Sequence, residues 1–208
     1  MGRRNGARES GARGARGEMR ARIAAAAARI MAEEGIDDFA LAKRKAARRL
    51  GAADTEALPA NDEIEAELRD YLALYQADEH PERITELRRL ALDAMQEFEQ
   101  FSPYLTGPVL TGLAGAYAEI DLQLFPESSK EVELFLLDRN IPYEASDEKR
   151  YTRDRARAVA VISLSWQGVP LRLSLFDPRD ERSALKTSPA GRVAARAGIA
   201  EVRAMVKT

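Results

Sequence analysis

The spacing of the apolar residues changes at Pro103, and this change limits the fold more than any other feature of the sequence. Before Pro103 the apolar residues recur every three or four positions, which is typical of helices with one buried face. After it, residues 118–125 alternate apolar and polar side chains, which is typical of a strand with one buried face. The pattern predicts an α+β protein, with an N-terminal helical bundle followed by a small mixed-sheet domain.

Three segments follow from the same pattern. Residues 1–17 are rich in Gly, Ala and Arg, and after Met1 they contain no apolar side chain larger than alanine. They are predicted to be a flexible basic tail, because nothing in them offsets the cost of ordering the backbone. Residues 18–101 form the predicted helical region, and residues 102–208 form the predicted α/β domain. The helices expected in the helical region are 18–34, 37–50, 61–77 and 81–101, with Pro81 in the first turn of the last one and His80 in the linker before it.

The α/β domain is predicted in more detail from alternation and turn signals. Gln167 and Gly168 between two apolar runs indicate a β-hairpin. The expected elements are a strand at 109–111, a glycine turn at 112–115, a strand at 118–125, a helix from Ser128 or Ser129 to 139, a short strand at 141–144, a mobile charged connection at 145–156, hairpin strands at 158–166 and 169–176, and a last helix at 199–206.

Composition excludes several classes of site. The chain has no cysteine and a single histidine, His80. Disulfides, thiolate zinc sites, cysteine nucleophiles and multi-histidine metal sites are therefore excluded, and a Ser-His-Asp triad would have only a linker histidine as its base. The sequence also contains neither a P-loop nor a G-x-G-x-x-G turn after a strand.

The charges are unevenly distributed along the chain. Residues 1–60 carry 13 Lys and Arg against 8 Asp and Glu, whereas residues 61–100 carry 4 against 12. This asymmetry indicates either separate functions for the two regions or an internal electrostatic match between them. No apolar run is long enough to span a bilayer, and the arginine-rich start lacks the apolar stretch of a secretory signal. We therefore expect a cytoplasmic protein without a membrane partner.

Glu119 and Asp121 carry the main chemical hypothesis. Two positions apart on a strand, they point to the same face, where both carboxylates could bind one Mg²⁺. Upstream, Gly112 and Gly115 allow the backbone to approach a phosphate closely. The pattern thus predicts a catalytic and metal-binding pair of acids beside a nucleotide-binding glycine turn. An exposed, merely solvated acidic face is the simpler alternative.

The order of these motifs resembles that of the nucleotidyltransferase superfamily, which has the DNA polymerase β-like fold. Leu110-Thr111-Gly112-Leu113 is similar to the family's apolar-glycine motif, and Glu119-Ile120-Asp121-Leu122 is similar to its strand of alternating acids. Over residues 105–177 the chain looks like a divergent member related to the aminoglycoside and minimal nucleotidyltransferases. The resemblance implies a bound nucleotide, Mg²⁺ and metal-dependent nucleotidyl transfer.

Departures from the family pattern bear on activity. Leu113 stands where the family has a serine or glycine, and the gap from Gly112 to Glu119 is short. Arg172 stands where the resemblance implies a third carboxylate. If the strands pair as in the family, Arg172 faces Glu119 and Asp121, and its fixed charge takes part in nucleotide binding or replaces the metal. Two outcomes stay open: a working transferase based on Glu119 and Asp121, and a domain that binds a nucleotide, with or without Mg²⁺, after catalysis was weakened or lost.

Other functions are compatible with the same sequence. A non-catalytic protein that binds nucleic acid or a partner would act through the basic N-terminal segment, residues 1–17 with Lys43, Arg44 and Lys45. Alternatively, the basic helix 37–50 only packs against the acidic helices. Trp166 beside the hairpin turn either packs in the fold or stacks on a base. The acceptor substrate and the oligomeric state stay open.

Overall fold

The computed structural model describes residues 4–36, 38–53, 55, 57–75, 79–115, 117–152, 155–183, 185–186 and 195–207. The helices are α1 (Arg4–Glu34), α2 (Phe39–Arg49), α3 (Asn61–Tyr75), α4 (Glu79–Glu97), α5 (Gly107–Thr111), α6 (Ser129–Asp138) and α7 (Ile199–Val206). The strands are β1 (Tyr104–Thr106), β2 (Ile120–Leu124), β3 (Tyr143–Thr152), β4 (Arg155–Trp166), β5 (Val169–Leu175) and β6 (Leu185–Lys186). The fold class is α+β, as the change in apolar spacing predicts.

The chain divides into two compact units. Unit 1 comprises Met1–His80 with Gly115–Tyr117, and unit 2 comprises Pro81–Ala114 with Ala118–Thr208. The sequence analysis grouped residues 81–101 with the helical region. Helix α4 instead belongs to unit 2 from Pro81 onward, because its apolar stripe, which includes Ala91 and Met95, packs in the core beneath the sheet.

Unit 1 is built on α1, α2 and α3. Each helix buries residues at helical spacing: Ile23, Ala27 and Ile30 on α1, Ala42 and Ala46 on α2, and Ile64, Leu68 and Leu72 on α3. Asp38 caps α2, since its side chain accepts hydrogen bonds from the backbone N–H groups of Ala40 and Leu41. These helices agree with the three predicted within residues 18–77, apart from their ends.

The first helix starts earlier than the sequence analysis expects. α1 begins at Arg4, so residues 4–17, predicted to be a flexible tail, are helical in the structure. Alanine and arginine are among the strongest helix formers, and in this segment their preference outweighs the cost of the interspersed glycines. Composition led to the prediction of a flexible tail because the segment cannot bury a core of its own, but a helix can form without one.

Opposite charges pair within unit 1. Glu34 accepts hydrogen bonds from Lys45 and, at 2.7 Å, from Arg49. Arg20 donates to Glu63 with Nε 2.9 Å from Oε1. Lys43 donates to Oδ1 of Asn61 at 2.7 Å. The hydrogen bond from Lys45 lowers the pKa of Glu34, and the hydrogen bond from Arg20 lowers the pKa of Glu63.

Unit 2 contains a mixed sheet with the strand order β1-β2-β5-β4-β3-β6. β2 and β5 run parallel, and the other neighbouring strands are antiparallel. The β4–β5 hairpin turns at Gln167 and Gly168, which both have positive φ, as the predicted tight turn requires. The predicted strand at 118–125, the helix capped by Ser128 and the last helix at 199–206 are likewise confirmed.

One face of this sheet forms the core of unit 2. Ile120, Leu122 and Leu124 of β2 are buried there together with apolar residues of α4 and α6. Phe98, which directly follows α4, contacts Phe135 of α6, with ring centroids 5.3 Å apart. Because side chains alternate along a strand, the residues between these apolar positions face the opposite side of the sheet, which we call the second face.

Three of the predicted local assignments were wrong, two in the α/β domain and one in the helical region. Residues 109–111 lie in α5 and not in a strand, because Pro108 starts a helical turn and Gly112 ends it with a φ of 76°. Residues 145–152, predicted to be part of a mobile connection, continue β3 and pair with β4. His80 lies in the first turn of α4 and not in a linker, since that helix begins at Glu79.

Candidate functional site

A row of polar residues crosses the second face of the sheet. Each residue of the row is the direct Cα partner of the next on the neighbouring strand: Thr106 of β1, Asp121 of β2, Arg172 of β5, Ser163 of β4 and Glu144 of β3. Paired residues on adjacent strands direct their side chains to the same face. The sheet therefore presents hydroxyl, carboxylate, guanidinium, hydroxyl and carboxylate in this order, about 4.8 Å apart from strand to strand.

Arg172 and Asp121 are the central pair of this row. Both side chains are partly buried, and they occupy equivalent positions on the two parallel strands. The relation arises because the chain leaves β2, forms the α6 and β3–β4 elements, and returns through the β4–β5 hairpin beside β2. Register thus brings together two residues that are 51 positions apart in the sequence.

Gly107 contacts the carboxylate of Asp121. It follows β1 directly, has a φ of 72°, and begins α5. A Cβ on Gly107 would lie 2.6 Å from Oδ2 of Asp121 and 3.4 Å from its Cβ. Both the backbone conformation and the space therefore require glycine at this position. The short turn between β1 and α5 is the glycine-containing segment that approaches the acidic strand.

The α5 turn is held in place from α4. Arg88 donates hydrogen bonds to the backbone carbonyls of Val109 and Leu110, at 3.2 and 2.9 Å. Those carbonyls lie near the C-terminal end of α5, where helical carbonyls lack partners within the helix. Burial lowers the pKa of Arg88. This cation therefore fixes the far end of the same turn that begins at Gly107.

The predicted site residues fall in different places. Glu119 directly precedes β2 and is partly buried, two positions from Asp121. Gly112 is the C-cap of α5, and the nearest atom to a Cβ built on it belongs to Arg88, at 3.6 Å. Gly115 belongs to unit 1, where it lies against the backbone carbonyls of Met31 and Ala32. Glu119, Asp121 and Arg172 therefore share one part of the sheet, while the glycine against Asp121 is Gly107.

Trp166 packs within the fold and is not placed to stack on a base beside the row. Its ring lies on the core side of the sheet, 6.0 Å between centroids from Phe98. Its Nε1 donates to Asp93 at 3.2 Å, and Gln167 donates to the same carboxylate at 2.6 Å. The indole thus ties the hairpin turn to α4.

An open groove of about 480 Å³ lies at the Glu144 end of the polar row. Its lining includes Glu144, Ser163 and Ser165, with Pro142 and Pro170 also contributing. One of its lining residues, Ser163, is the direct strand partner of Arg172, which is not itself part of the lining.

The opposite end of the second face is closed by aromatic residues. Tyr104 packs edge-on against Phe125, and the guanidinium of Arg196 lies 4.6 Å from the centre of the Tyr104 ring. Tyr104 donates a hydrogen bond to Glu181 at 2.9 Å, and burial together with this contact raises the pKa of Tyr104. Near this cluster Gln123 is buried, and its Oε1 has no hydrogen-bond partner among the described residues.

The residues beside Gly107 can supply ligands for one Mg²⁺. Mg²⁺ is usually held by one or two carboxylates together with water and the phosphates of a substrate. Glu119 and Asp121 provide two carboxylates, but within the described residues no group of three or more His, Cys, Asp and Glu is placed to hold a metal ion. The described residues therefore do not form a metal cage by themselves, and a cation held by Glu119 and Asp121 would need further ligands from elsewhere.

Comparison with known proteins identifies no relative. No protein-family model, curated protein or solved structure matches the chain. In the part of the chain that the structure describes, no helix combines the length and hydrophobicity needed to cross a bilayer.

Sequence reasoning missed two components of this site. Gly107 was overlooked. Pro108 is a signal for the start of a helix, and using that signal would have placed the strand before Gly107 and not after Pro108. Glu144 and Ser163 were assigned to strands, but which strand lies next to which is a tertiary property. Only the register of β3 on β4 and of β4 on β5 aligns these residues with Arg172.

Proposed function

We propose that unit 2 is a nucleotidyltransferase-like domain that binds a nucleotide with one Mg²⁺ on the second face of its sheet and has lost nucleotidyl transfer. The observation that carries the proposal is the contact between the glycine turn at Gly107 and the carboxylate of Asp121, opposite Arg172. The family resemblance implies a strand, a glycine turn, a strand of alternating acids, a helix and a further strand, and we take Gly107 to fill the place of the glycine turn that the sequence analysis gave to Gly112.

The residues of the site have distinct roles in this proposal. Arg172 provides a fixed positive charge and a planar pair of donors for a phosphate. Gly107 lets the carboxylate of Asp121 lie against the backbone of the turn, because it has no side chain to occupy that space. Glu119 and Asp121 would hold Mg²⁺, which supplies charge neutralisation for the phosphates when it is bound.

The charge of the site favours a nucleotide that arrives with its metal ion. Two carboxylates and one guanidinium leave a formal charge of −1 before a phosphate is added. A free polyphosphate would be repelled by Glu119 and Asp121, and one divalent cation reverses that balance. We therefore expect nucleotide affinity to depend on Mg²⁺ or Mn²⁺.

Loss of transfer follows from the residue opposite Asp121. Phosphoryl-type transfer with two metal ions requires ligands on both sides of the reacting phosphate. Arg172 occupies the position that the resemblance assigns to a third carboxylate, and a guanidinium cannot coordinate a cation. The protein is expected to bind the nucleotide without consuming it.

The alternative function through the basic N-terminal segment has less support. Lys43 and Lys45, two of the three α2 residues on which it depends, already make hydrogen bonds with Asn61 and Glu34. These two lysines therefore already bond to other residues of unit 1, which leaves them less available to bind nucleic acid. We therefore do not propose nucleic-acid binding.

Isothermal titration of the full chain with the four ribonucleoside triphosphates tests the proposal, first with Mg²⁺ and then with EDTA. We expect binding with Mg²⁺ and at least tenfold weaker binding without it. Asp121→Asn should remove most of the metal dependence, whereas Asp177→Asn, an exposed position beyond β5, should bind like the wild type. Absence of binding by all four nucleotides at millimolar concentration would refute the proposal, as would release of pyrophosphate at a rate typical of a transferase.

A further inference from the structure

We infer that the groove at Glu144, Ser163 and Ser165 binds the base of the nucleotide and selects guanine. The inference rests on the proposed function, because it assumes that the phosphates lie at Arg172 and Asp121. It adds to that function the position and the identity of the base.

The direction of the nucleotide follows from the polar row. From Arg172 the row continues through Ser163 to Glu144, two strand spacings or roughly 10 Å away. In the other direction it ends at Thr106, beyond which the described part of the sheet has no further strand. The groove includes Ser163 and Glu144, on this side of Arg172, so we place the base of a nucleotide whose phosphates lie at Arg172 in the groove.

The lining of the groove suits a flat, polar-edged ring. Pro142 and Pro170 provide rigid apolar surface in the same groove as the polar residues Ser163, Ser165 and Glu144. The remaining lining residues are Tyr143, Leu164 and Gly168. A base has two apolar faces and an edge of donors and acceptors, so it matches walls of this kind better than a flexible polyol does. Pro170 pairs with Ser165, which places one apolar and one polar residue side by side.

Glu144 decides which base fits. An ionised carboxylate only accepts hydrogen bonds, and it can accept two in parallel. Guanine presents two adjacent donors, N1–H and the N2 amino group, on one edge. Adenine offers an acceptor at N1 beside its amino group, so one carboxylate oxygen would face a lone pair. The serine hydroxyls can donate to the guanine O6 atom, since a hydroxyl serves as donor or acceptor.

The effect on affinity is expected to be moderate. Glu144 is exposed, so water competes for its hydrogen bonds with the base. The site still discriminates against the wrong base, because that base would leave polar groups of the site without hydrogen-bond partners. We expect GTP to bind at least tenfold more tightly than ATP, and ITP, which lacks the N2 amino group, to have an intermediate affinity.

Competition titrations of GTP, ITP and ATP with Mg²⁺ test the inference on the full chain. The wild type is compared with Glu144→Gln and with Glu131→Gln, a control at an exposed position on α6 outside the groove. Glu144→Gln should weaken GTP at least tenfold and change ATP by less than twofold, while Glu131→Gln should bind all three like the wild type.

The outcomes separate the two proposals. Equal affinities of the wild type for GTP and ATP, or an equal loss for both in Glu144→Gln, would overturn base selection and leave nucleotide binding intact. Failure of all three nucleotides to bind would refute the proposed function itself, and base selection with it. Circular dichroism spectra identical to that of the wild type would show that each variant is folded.

Discussion

Asp121 and Arg172 are direct partners on the two parallel strands of the sheet, so an acid and a base stand side by side where the family resemblance implies two acids. Under the proposed function, this pairing would let the domain bind a nucleotide without transferring it. The guanidinium of Arg172 would bind a phosphate, whereas the proposed metal site would have one ligand fewer.

Arg172→Asp is expected to create a stronger metal site. Three carboxylates would then surround one position, and their mutual repulsion would be relieved by a divalent cation. Mn²⁺ at ten times its dissociation constant should stabilise the variant by about 1.4 kcal/mol. Thermal unfolding with and without Mn²⁺ measures this effect. Arg172→Asn, which removes the cation without adding an acid, is the control, and equal shifts of the melting temperature in both variants would contradict the account.

Gly107→Ala is expected to destabilise unit 2 more than Gly112→Ala does. Both glycines have positive φ, so both substitutions cost about 1–2 kcal/mol of backbone strain. Only at Gly107 would the new methyl group also overlap the carboxylate of Asp121, which adds about 1–3 kcal/mol. Urea denaturation measures the difference.

The same two variants test which glycine serves the nucleotide. Gly107→Ala should lose nucleotide binding even under conditions where it is folded, and Gly112→Ala should retain it. The reverse result would restore the assignment of Gly112 that was made from the sequence.

Gln123→Met is expected to stabilise the protein. Oε1 of Gln123 is buried and has no hydrogen-bond partner among the described residues, and an unsatisfied acceptor of this kind costs about 1–3 kcal/mol. Methionine has a similar shape and no such requirement, so the free energy of unfolding should rise by about 1 kcal/mol. Gln96→Met, at an exposed position of α4, should change it by less than about 0.5 kcal/mol. A destabilised Gln123→Met would show that the amide is bonded in solution.

Acid should weaken unit 1 through Glu34. The hydrogen bond from Lys45 lowers the pKa of Glu34 in the folded state, so the unfolded chain takes up a proton first as the pH falls. The stabilisation by Glu34 is therefore complete above the ordinary pKa of a glutamate and is lost as the pH drops through the lower folded value. Thermal unfolding between pH 7 and pH 3 should show a smaller loss for Glu34→Gln than for the wild type. Glu67→Gln, exposed on α3, should behave like the wild type, and identical profiles for all three would contradict the account.

The local elements were predictable where one periodicity dominated. The alternation of Ile120, Leu122 and Leu124 predicted a strand correctly, and Ser128 predicted the start of a helix correctly. Both signals lie in residues that are neighbours in the sequence. The signal for the turn at Gln167 and Gly168 also lies in neighbouring residues, so this turn was predicted correctly. The segment at Val109 was predicted wrongly, because a short apolar run is compatible with either a strand or a helix. The hydrogen bond from Arg88 to the carbonyl of Val109 could not be foreseen locally, since the two residues are 21 positions apart.

The site was predictable only in part, because it is assembled across strands. Alternation alone placed Glu119 and Asp121 on one side of a strand, and the family resemblance suggested Arg172 opposite them. Glu144 and Ser163 carried no signal of their own. Their place in the row depends on the order β2-β5-β4-β3, which follows from how the whole sheet packs and from no single segment.

Crystals soaked with GTP and Mn²⁺, measured at a wavelength where Mn²⁺ scatters anomalously, test the central claim most directly. The account predicts one manganese peak in contact with the carboxylates of Glu119 and Asp121, and phosphate density beside Arg172 and Gly107. A nucleotide bound on another surface, or manganese held away from both carboxylates, would contradict it.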